Sequence, residues 1–272
     1  MIKFFRKIRQ NLLMENKTGK YFKYAFGEIV LVVIGILIAL QINNWNENKK
    51  KTKIGLQYLT EMRSDLQNDV LQLDFYINKL KESIKNQEAA LNTKDISKLS
   101  IDSLSMIINS TNLDFKTSEL TFNKMNNLGI TSLSNNDSLN LKITEYYNSD
   151  MVRLKLGINY IFNDLIKRTD FYLYEQNKID IMSNYSNQKF PSLYNQSEEE
   201  LEKEFKTNTI GFIQSIKGRN IVIYNLGGKK YSLSLLNGFK QKTTTLLKAI
   251  YDELKIYDPK IKSLPTLPSE VE

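Results

Sequence analysis

The stretch IVLVVIGILIAL, residues 29–40, is an unbroken run of apolar residues, and it decides how the rest of the chain is interpreted. A membrane-spanning helix needs about 20 residues, and the flanking sequence extends this run to residues 24–44. A buried core helix is the alternative interpretation. A cleaved signal peptide is disfavoured, because the following LIALQINNW lacks the small residues of a cleavage site. The sequence therefore predicts one uncleaved transmembrane helix over residues 24–44.

Basic residues flank this segment and account for the net charge of +8. Residues 1–53 contain 11 Lys and Arg against 3 Asp and Glu, whereas residues 54–272 contain 27 of each. A nucleic-acid-binding domain would carry its basic excess on a folded face. The distribution indicates a membrane anchor, so we expect the lipid bilayer as a partner and no nucleic acid.

The orientation of the span follows from the positive-inside rule. Seven Lys and Arg precede the span, and four lysines follow it at positions 49–53 and oppose the assignment. The larger number predicts a cytoplasmic N-terminus in a bacterial inner membrane. The predicted organisation is a cytoplasmic basic segment at 1–23, the span at 24–44, a helical periplasmic domain at 45–258 and a flexible tail at 259–272.

The first 13 residues, MIKFFRKIRQNLL, have the pattern of an amphipathic helix. Such a helix lies on an anionic leaflet with its basic face toward the headgroups. Docking onto a cytosolic partner is the alternative. The predicted membrane-surface residues are Lys3, Arg6, Lys7 and Arg9.

Small and polar residues interrupt the apolar character of the span. Gly35 and Ala39 form a small-xxx-small pair that lets helices approach closely in lipid, although glycine and alanine are common in any transmembrane helix. Glu28 is costly in a bilayer, so we expect it to face a partner helix, to reach toward Lys23, or to serve a proton- or ion-linked role. The predicted packing or polar positions are Gly27, Glu28, Gly35, Ala39 and Gln41.

A heptad pattern follows the span and predicts an all-α fold in which the membrane helix runs on into a long-helix, coiled-coil-like bundle. No proline interrupts residues 45–92. A second seam begins at Tyr147, in a helix that starts near Ser138. Two such helices fit an antiparallel pair within a bundle or coiled coils between molecules. The first seam comprises Leu66, Val70, Leu73, Ile77, Leu80 and Ile84.

The remaining elements follow from capping and breaking signals. Ser197 and Glu200 form a capping box, and the β-branched stretch at 209–226 is assigned to a helix because isolated strands need partners. Gly227-Gly228-Lys229-Lys230 is expected to end that helix. The other predictions are helices at 101–109, 118–127 and 232–255 and a loop at 178–196.

Two blocks of sequence resemble a family of uncharacterised single-pass bacterial membrane proteins, a domain of unknown function. They are GKYFKYAFGEIVLVVIGILIALQINNWNE at 19–47 and TFNKMNNLGITSLSNNDSLNLKITEYYN at 121–148. The resemblance implies a single span and a mainly helical soluble part. It implies no catalytic or ligand-binding residue.

The composition leaves little material for catalysis. The chain contains no cysteine and no histidine, which removes thiol nucleophiles, histidine bases and the usual zinc or haem ligands. The GGKK sequence lacks the spacing of a phosphate-binding loop, and the acidic run at 198–204 has the spacing of a solvated helix face. We expect no catalytic residue, cofactor or metal. The tyrosines expected mostly in core or interface packing are Tyr146, Tyr147, Tyr160, Tyr172 and Tyr174.

Three functional hypotheses remain. The first is a non-enzymatic binding or scaffold component that recruits copies of itself or another envelope protein. The second is a ligand-sensing helical module that signals through a membrane partner. The third, an envelope enzyme, is the least favoured.

Overall fold

The computed structural model describes residues 18–108, 115–161 and 198–261. The chain divides into two compact units, Met1–Gln57 and Tyr58–Glu272. The described residues are helical and contain no β-strand, which confirms the all-α prediction. The basic positions 3–9 and the predicted loop at 178–196 lie outside the described residues, as do Ser197 and most of the predicted tail.

The first helix, α1, runs from Thr18 to Leu91 without interruption. This confirms that the apolar segment continues as a helix beyond residue 44. Its apolar stretch is long enough to cross a membrane, and no part of that stretch is buried inside the chain. Large apolar side chains are exposed along it, from Ile29 to Trp45.

The second unit contains the end of α1 and a series of shorter helices. A 3₁₀ turn at Ile96–Lys98 leads to α2 (Ile101–Ile108). Asn136 caps α4 (Asp137–Glu145) by accepting a hydrogen bond from the Leu139 N–H, close to the predicted start. The other elements are α2 (Ile101–Ile108), α3 (Leu120–Asn127), α4 (Asp137–Glu145), a π-helical turn (Tyr146–Asp150), α5 (described over 151–161), α6 (Glu198–Gln214) and α7 (Ile216–Tyr257).

Helix α7 runs antiparallel to α1. The Lys240 ammonium lies 2.6 Å from the Asp74 carboxylate, and Lys230 lies 2.6 Å from Glu88. Residue numbers therefore rise along one helix as they fall along the other.

Helix α7 is also antiparallel to α4 and α5. The Tyr146 hydroxyl lies 3.0 Å from the Thr243 hydroxyl, and a Cβ on Gly157 would meet the side chain of Leu235. The two helices with predicted seams, α1 and α4–α5, consequently run parallel to each other. The antiparallel arrangement suggested by their matching seams is wrong, because α7 supplies the antiparallel partner of both.

The first seam is buried within the chain. Val70, Leu73 and Ile77 are each at most 3% exposed, and the other predicted seam residues are buried as well. The second seam is buried at Tyr147, Met151, Leu154 and Ile158. Of the two open alternatives, intramolecular packing is therefore the one that the structure shows for α1.

The predicted break at Gly227-Gly228-Lys229-Lys230 is wrong, because α7 passes straight through it. The break lies at Ser215, whose hydroxyl accepts a hydrogen bond from the Gly218 N–H at 2.9 Å. The predicted helices at 209–226 and 232–255 are thus redivided into α6 and α7. Burial of a seam along α7 outweighs the low helix propensity of two glycines. That seam comprises Val222, Asn225, Lys229, Ser232, Leu236, Phe239 and Thr243.

Candidate functional site

The N-terminus of α3 is held by two carboxylates of α1. Asp65 Oδ2 accepts hydrogen bonds from the Thr121 hydroxyl at 2.5 Å and from the Thr121 N–H at 3.4 Å. Asp69 Oδ1 accepts from the Ser118 N–H at 2.9 Å. The residue at the N-cap position of α3, Glu119, makes no capping bond, and its carboxylate instead contacts the Lys155 ammonium. Carboxylates suit a helix N-terminus because they satisfy free N–H groups and the positive end of the helix dipole.

Asp69 is the more deeply buried of the two carboxylates. Its side chain is 2% exposed, and Oδ2 has no hydrogen-bond partner. Burial raises the pKa of Asp69 from 3.8 to about 6; the negative charge of Asp65 adds to this, while the Ser118 N–H and Lys155 oppose it. Asp69 therefore gains a proton in mildly acidic solution, where an exposed aspartate stays ionised.

Two stacked aromatic pairs line the same region. Tyr147 stacks on Phe122 with ring centroids 4.3 Å apart, and Tyr146 stacks on Phe239 at 5.1 Å. Burial raises the pKa of Tyr146 and of Tyr147, so both phenols are neutral at physiological pH. The Tyr147 hydroxyl has no hydrogen-bond partner, whereas that of Tyr146 meets Thr243.

The π-helical turn at Tyr146–Asp150 places these tyrosines. The buried positions Leu139, Ile143, Tyr147 and Met151 are each four residues apart. Because an α-helix has 3.6 residues per turn, three such steps would rotate the last side chain away from the core. The wider π turn absorbs this excess and keeps all four on one face.

We call the five polar residues of this region the Asp69 cluster: Asp65, Asp69, Tyr146, Tyr147 and Thr243. Burial raises the pKa of both tyrosines, and the negative charge of Asp69 raises it further. The described residues contain no group of three or more Asp, Glu, His or Cys that could hold a metal. In this arrangement Asp65 caps α3, and Asp69 holds the segment before it with a buried carboxyl whose pKa is raised.

A second buried polar position lies on α7. The Lys229 side chain is 3% exposed, its ammonium has no hydrogen-bond partner, and burial lowers its pKa from 10.5 to about 8. Nearer the start of α7, the Gln87 amide donates hydrogen bonds to the carbonyls of Ile107 at 3.2 Å and Val222 at 3.1 Å. Gln87 thus ties α1 to both α2 and α7.

No other part of the described chain packs against the two glycines of the predicted span. Nothing lies within 4 Å of a Cβ placed on Gly27 or Gly35. Glu28 is half-buried, and Ala39 and Gln41 are exposed. Contact of these positions with lipid or with another helix therefore stays a prediction.

The prediction of core packing is confirmed at Tyr146 and Tyr147, which are buried, whereas Tyr160 is 73% exposed and lies outside the core, so interface packing stays a prediction there. Tyr172 and Tyr174 lie outside the described residues. Sequence reasoning missed Asp65 and Asp69. Their i,i+4 spacing beside an apolar seam was a usable signal, because that spacing places both carboxylates on one helix face.

Comparison with known proteins gives one family. A model described as a family of unknown function, DUF6090, matches residues 28–168, just over half of the chain. The match covers α1 from Glu28 onward and includes the whole 121–148 block that contains α3, α4 and most of the π turn. No curated protein and no solved structure matches the chain.

Proposed function

Because the chain belongs to DUF6090, a family of unknown function, we propose its role from its own geometry. It is a single-pass inner-membrane protein that presents a helical bundle to the periplasm. It works there without catalysis, by binding another envelope protein or a second copy of itself.

The distribution of apolar surface along α1 carries this proposal. Ile29, Leu31 and Leu37 are 59–61% exposed, and the other large residues of the apolar stretch are 38–57% exposed. Soluble proteins rarely expose so long an apolar run, whereas a bilayer covers one of this length. Further along the same helix, Leu66 and Leu73 are fully buried. The first part of α1 therefore suits a lipid environment, and its later part packs in the core of the bundle.

The burial of the seam determines where a partner can bind. Since the seam is filled by the chain's own helices, contacts with a partner fall to the outer faces. Val152, Leu156 and Tyr160 are 46%, 65% and 73% exposed at successive i,i+4 positions of α5. This outward stripe and the span are the first surfaces to test.

The test is native co-purification of the tagged full-length protein in mild detergent, with a photo-crosslinking amino acid at Leu156. Lys79 is exposed on α1 and serves as the control position. The proposal expects one stoichiometric product from position 156, either a second protein or a dimer, and a much weaker one from position 79. Recovery of an uncrosslinked monomer from both positions contradicts a binding role.

A second candidate function is sensing, which the Asp69 cluster favours. A buried carboxyl with a pKa of about 6 that accepts the Ser118 N–H couples proton binding to the position of the segment that leads into α3. Thermal unfolding of the full-length protein in the presence of small molecules separates the two candidates. A ligand-dependent rise in melting temperature without self-association favours sensing.

A further inference from the structure

The segment directly after the apolar stretch reads WNENKKKTK, residues 45–53. Trp45 is 63% exposed, and the Lys49 ammonium lies 5.3 Å from the centroid of its ring. Tryptophan is the residue that favours the boundary between hydrocarbon and headgroups. The cation–π contact therefore fixes one lysine at the level where the apolar stretch ends.

Four lysines, here called the lysine collar, surround the helix at this level: Lys49, Lys50, Lys51 and Lys53. Because successive residues are about 100° apart on a helix, they point in directions that span more than half of its circumference. All four are exposed. None forms an ion pair with a residue that the structure describes. The nearby Glu47 accepts a hydrogen bond from Asn43 at 3.1 Å.

We propose that the lysine collar binds the phosphates of acidic phospholipid headgroups at the membrane face beyond residue 44. The inference rests on the proposed membrane span. Lys49 lies one helical turn, about 6 Å, beyond Trp45, which is the depth of the headgroups when Trp45 sits at the interface. Lysine ammonium groups at that depth gain free energy from anionic lipid, and their long stems reach the phosphates around more than half of the helix.

This assignment gives a physical role to charges that otherwise conflict with the predicted orientation. The positive-inside rule disfavours four lysines on the side opposite the N-terminus. Contact with acidic headgroups compensates part of that cost, because each ammonium is neutralised locally.

The single tryptophan of the chain supplies the test. The full-length protein is reconstituted into vesicles of phosphatidylcholine and phosphatidylglycerol at roughly three to one, with bromine on the acyl chains of one lipid or of the other. Bromine quenches Trp45 emission on contact, so the ratio of the two quenching values reports which lipid surrounds the collar. The proposal expects quenching by the phosphatidylglycerol to exceed its mole fraction by about threefold or more, and to decline in high salt.

Two variants and a control accompany this measurement. K49Q/K50Q/K51Q/K53Q is expected to lose the preference, and K50Q/K51Q/K53Q, which keeps the cation–π contact at Trp45, is expected to lose most of it. The matched control K79Q/K81Q/K85Q/K94Q removes four exposed lysines of the bundle and is expected to keep it.

The possible failures are distinguishable. Quenching by both lipids in proportion to their mole fractions, or an unchanged preference in the collar variants, overturns the proposed lipid contact while leaving the span intact. Absence of quenching by either lipid overturns the membrane span itself, and the collar proposal with it.

Discussion

Asp69 and Lys229 are buried ionisable residues whose pKa values move in opposite directions for the same reason. Burial disfavours the charged form of each, so it raises the pKa of the acid and lowers the pKa of the amine. Each charge therefore costs folding free energy at neutral pH. The cost at Asp69 disappears at low pH, where the acid is protonated, and the cost at Lys229 disappears at high pH, where the amine is neutral.

Asp69→Asn tests the acid. The variant keeps an oxygen that accepts the Ser118 N–H and removes the buried charge. Because the pKa of Asp69 is about 6 when folded and 3.8 when exposed, the folded state binds the proton more tightly. The cost is present above pH 6 and shrinks as the pH falls toward 4. We expect the variant to be more stable than the wild type at pH 8, by up to about 3 kcal/mol, with the difference shrinking as the pH falls.

Thermal unfolding of the full-length protein in detergent, followed by circular dichroism, measures this difference. The control is Asn68→Asp at the exposed neighbouring position. This variant is not expected to become more stable than the wild type as the pH rises from 4 to 8. A difference between wild type and Asp69→Asn that is constant from pH 4 to 8 contradicts the assignment.

Lys229→Met tests the amine. The pKa of Lys229 is about 8 in the folded state and 10.5 when exposed, so the cost is full below pH 8 and declines as the pH rises toward 10.5. We expect the variant to be more stable by roughly 2–3 kcal/mol at pH 7, and the difference to shrink by pH 10. The control Lys230→Met removes an exposed lysine paired with Glu88 and is expected to change stability by less than about 1 kcal/mol. Equal effects of the two variants in the same unfolding assay argue against a buried charge at position 229.

At the scale of the element, α7 contains two glycines whose replacement by alanine is expected to change stability in opposite directions. A Cβ on Gly227 meets nothing within 4 Å, whereas a Cβ on Gly218 would clash with the Phe212 carbonyl oxygen. Gly227→Ala is expected to stabilise the protein by about 0.5–1 kcal/mol, since alanine loses less backbone entropy in a helix. Gly218→Ala is expected to destabilise it by about 2 kcal/mol or more. Midpoints from chemical denaturation in detergent check both, and a destabilising Gly227→Ala contradicts an unbroken α7.

The helices α1 and α7 also show which features of the fold can be predicted from the sequence. The α1 seam is predictable because each of its positions from Leu66 to Ile84 is apolar and the positions follow one period. The α7 seam has the same period but carries Asn225, Lys229 and Ser232 at buried positions, so its pattern looks polar. Gly227 and Gly228 therefore predict a helix break, but burial of the seam against the rest of the bundle keeps α7 continuous.

The candidate site is less predictable than the helices. Asp65 and Asp69 are recognisable as a pair, but their partners Thr121 and Ser118 lie 56 and 49 residues away. No local pattern specifies which helix start two carboxylates will cap. The π turn shows in the sequence only as repeated four-residue spacing, which an α-helix with slightly drifting side chains also produces.

At the scale of the whole molecule, burial of the seam within one chain predicts that stability does not depend on assembly. Leu73 is fully buried and Leu71 is 67% exposed on the same helix. Leu73→Ala is expected to lower the unfolding free energy by about 2–5 kcal/mol, through lost burial and the resulting cavity. Leu71→Ala is expected to change it by less than about 0.5 kcal/mol. Light scattering of the detergent-solubilised protein then checks the mass, and a Leu73→Ala variant that dissociates an oligomer contradicts an intramolecular seam.

The most direct test of the central claim, a single-pass protein with its bundle outside the cytoplasm, is a topology measurement by cysteine labelling. The chain contains no cysteine, so Asn16→Cys and Lys94→Cys each create one unique thiol, and Lys94 is exposed on the bundle. A membrane-impermeant maleimide is added to spheroplasts before and after lysis. We expect labelling of position 94 in intact spheroplasts and of position 16 only after lysis. Labelling of position 16 in intact spheroplasts, or protection of position 94 until lysis, contradicts this topology.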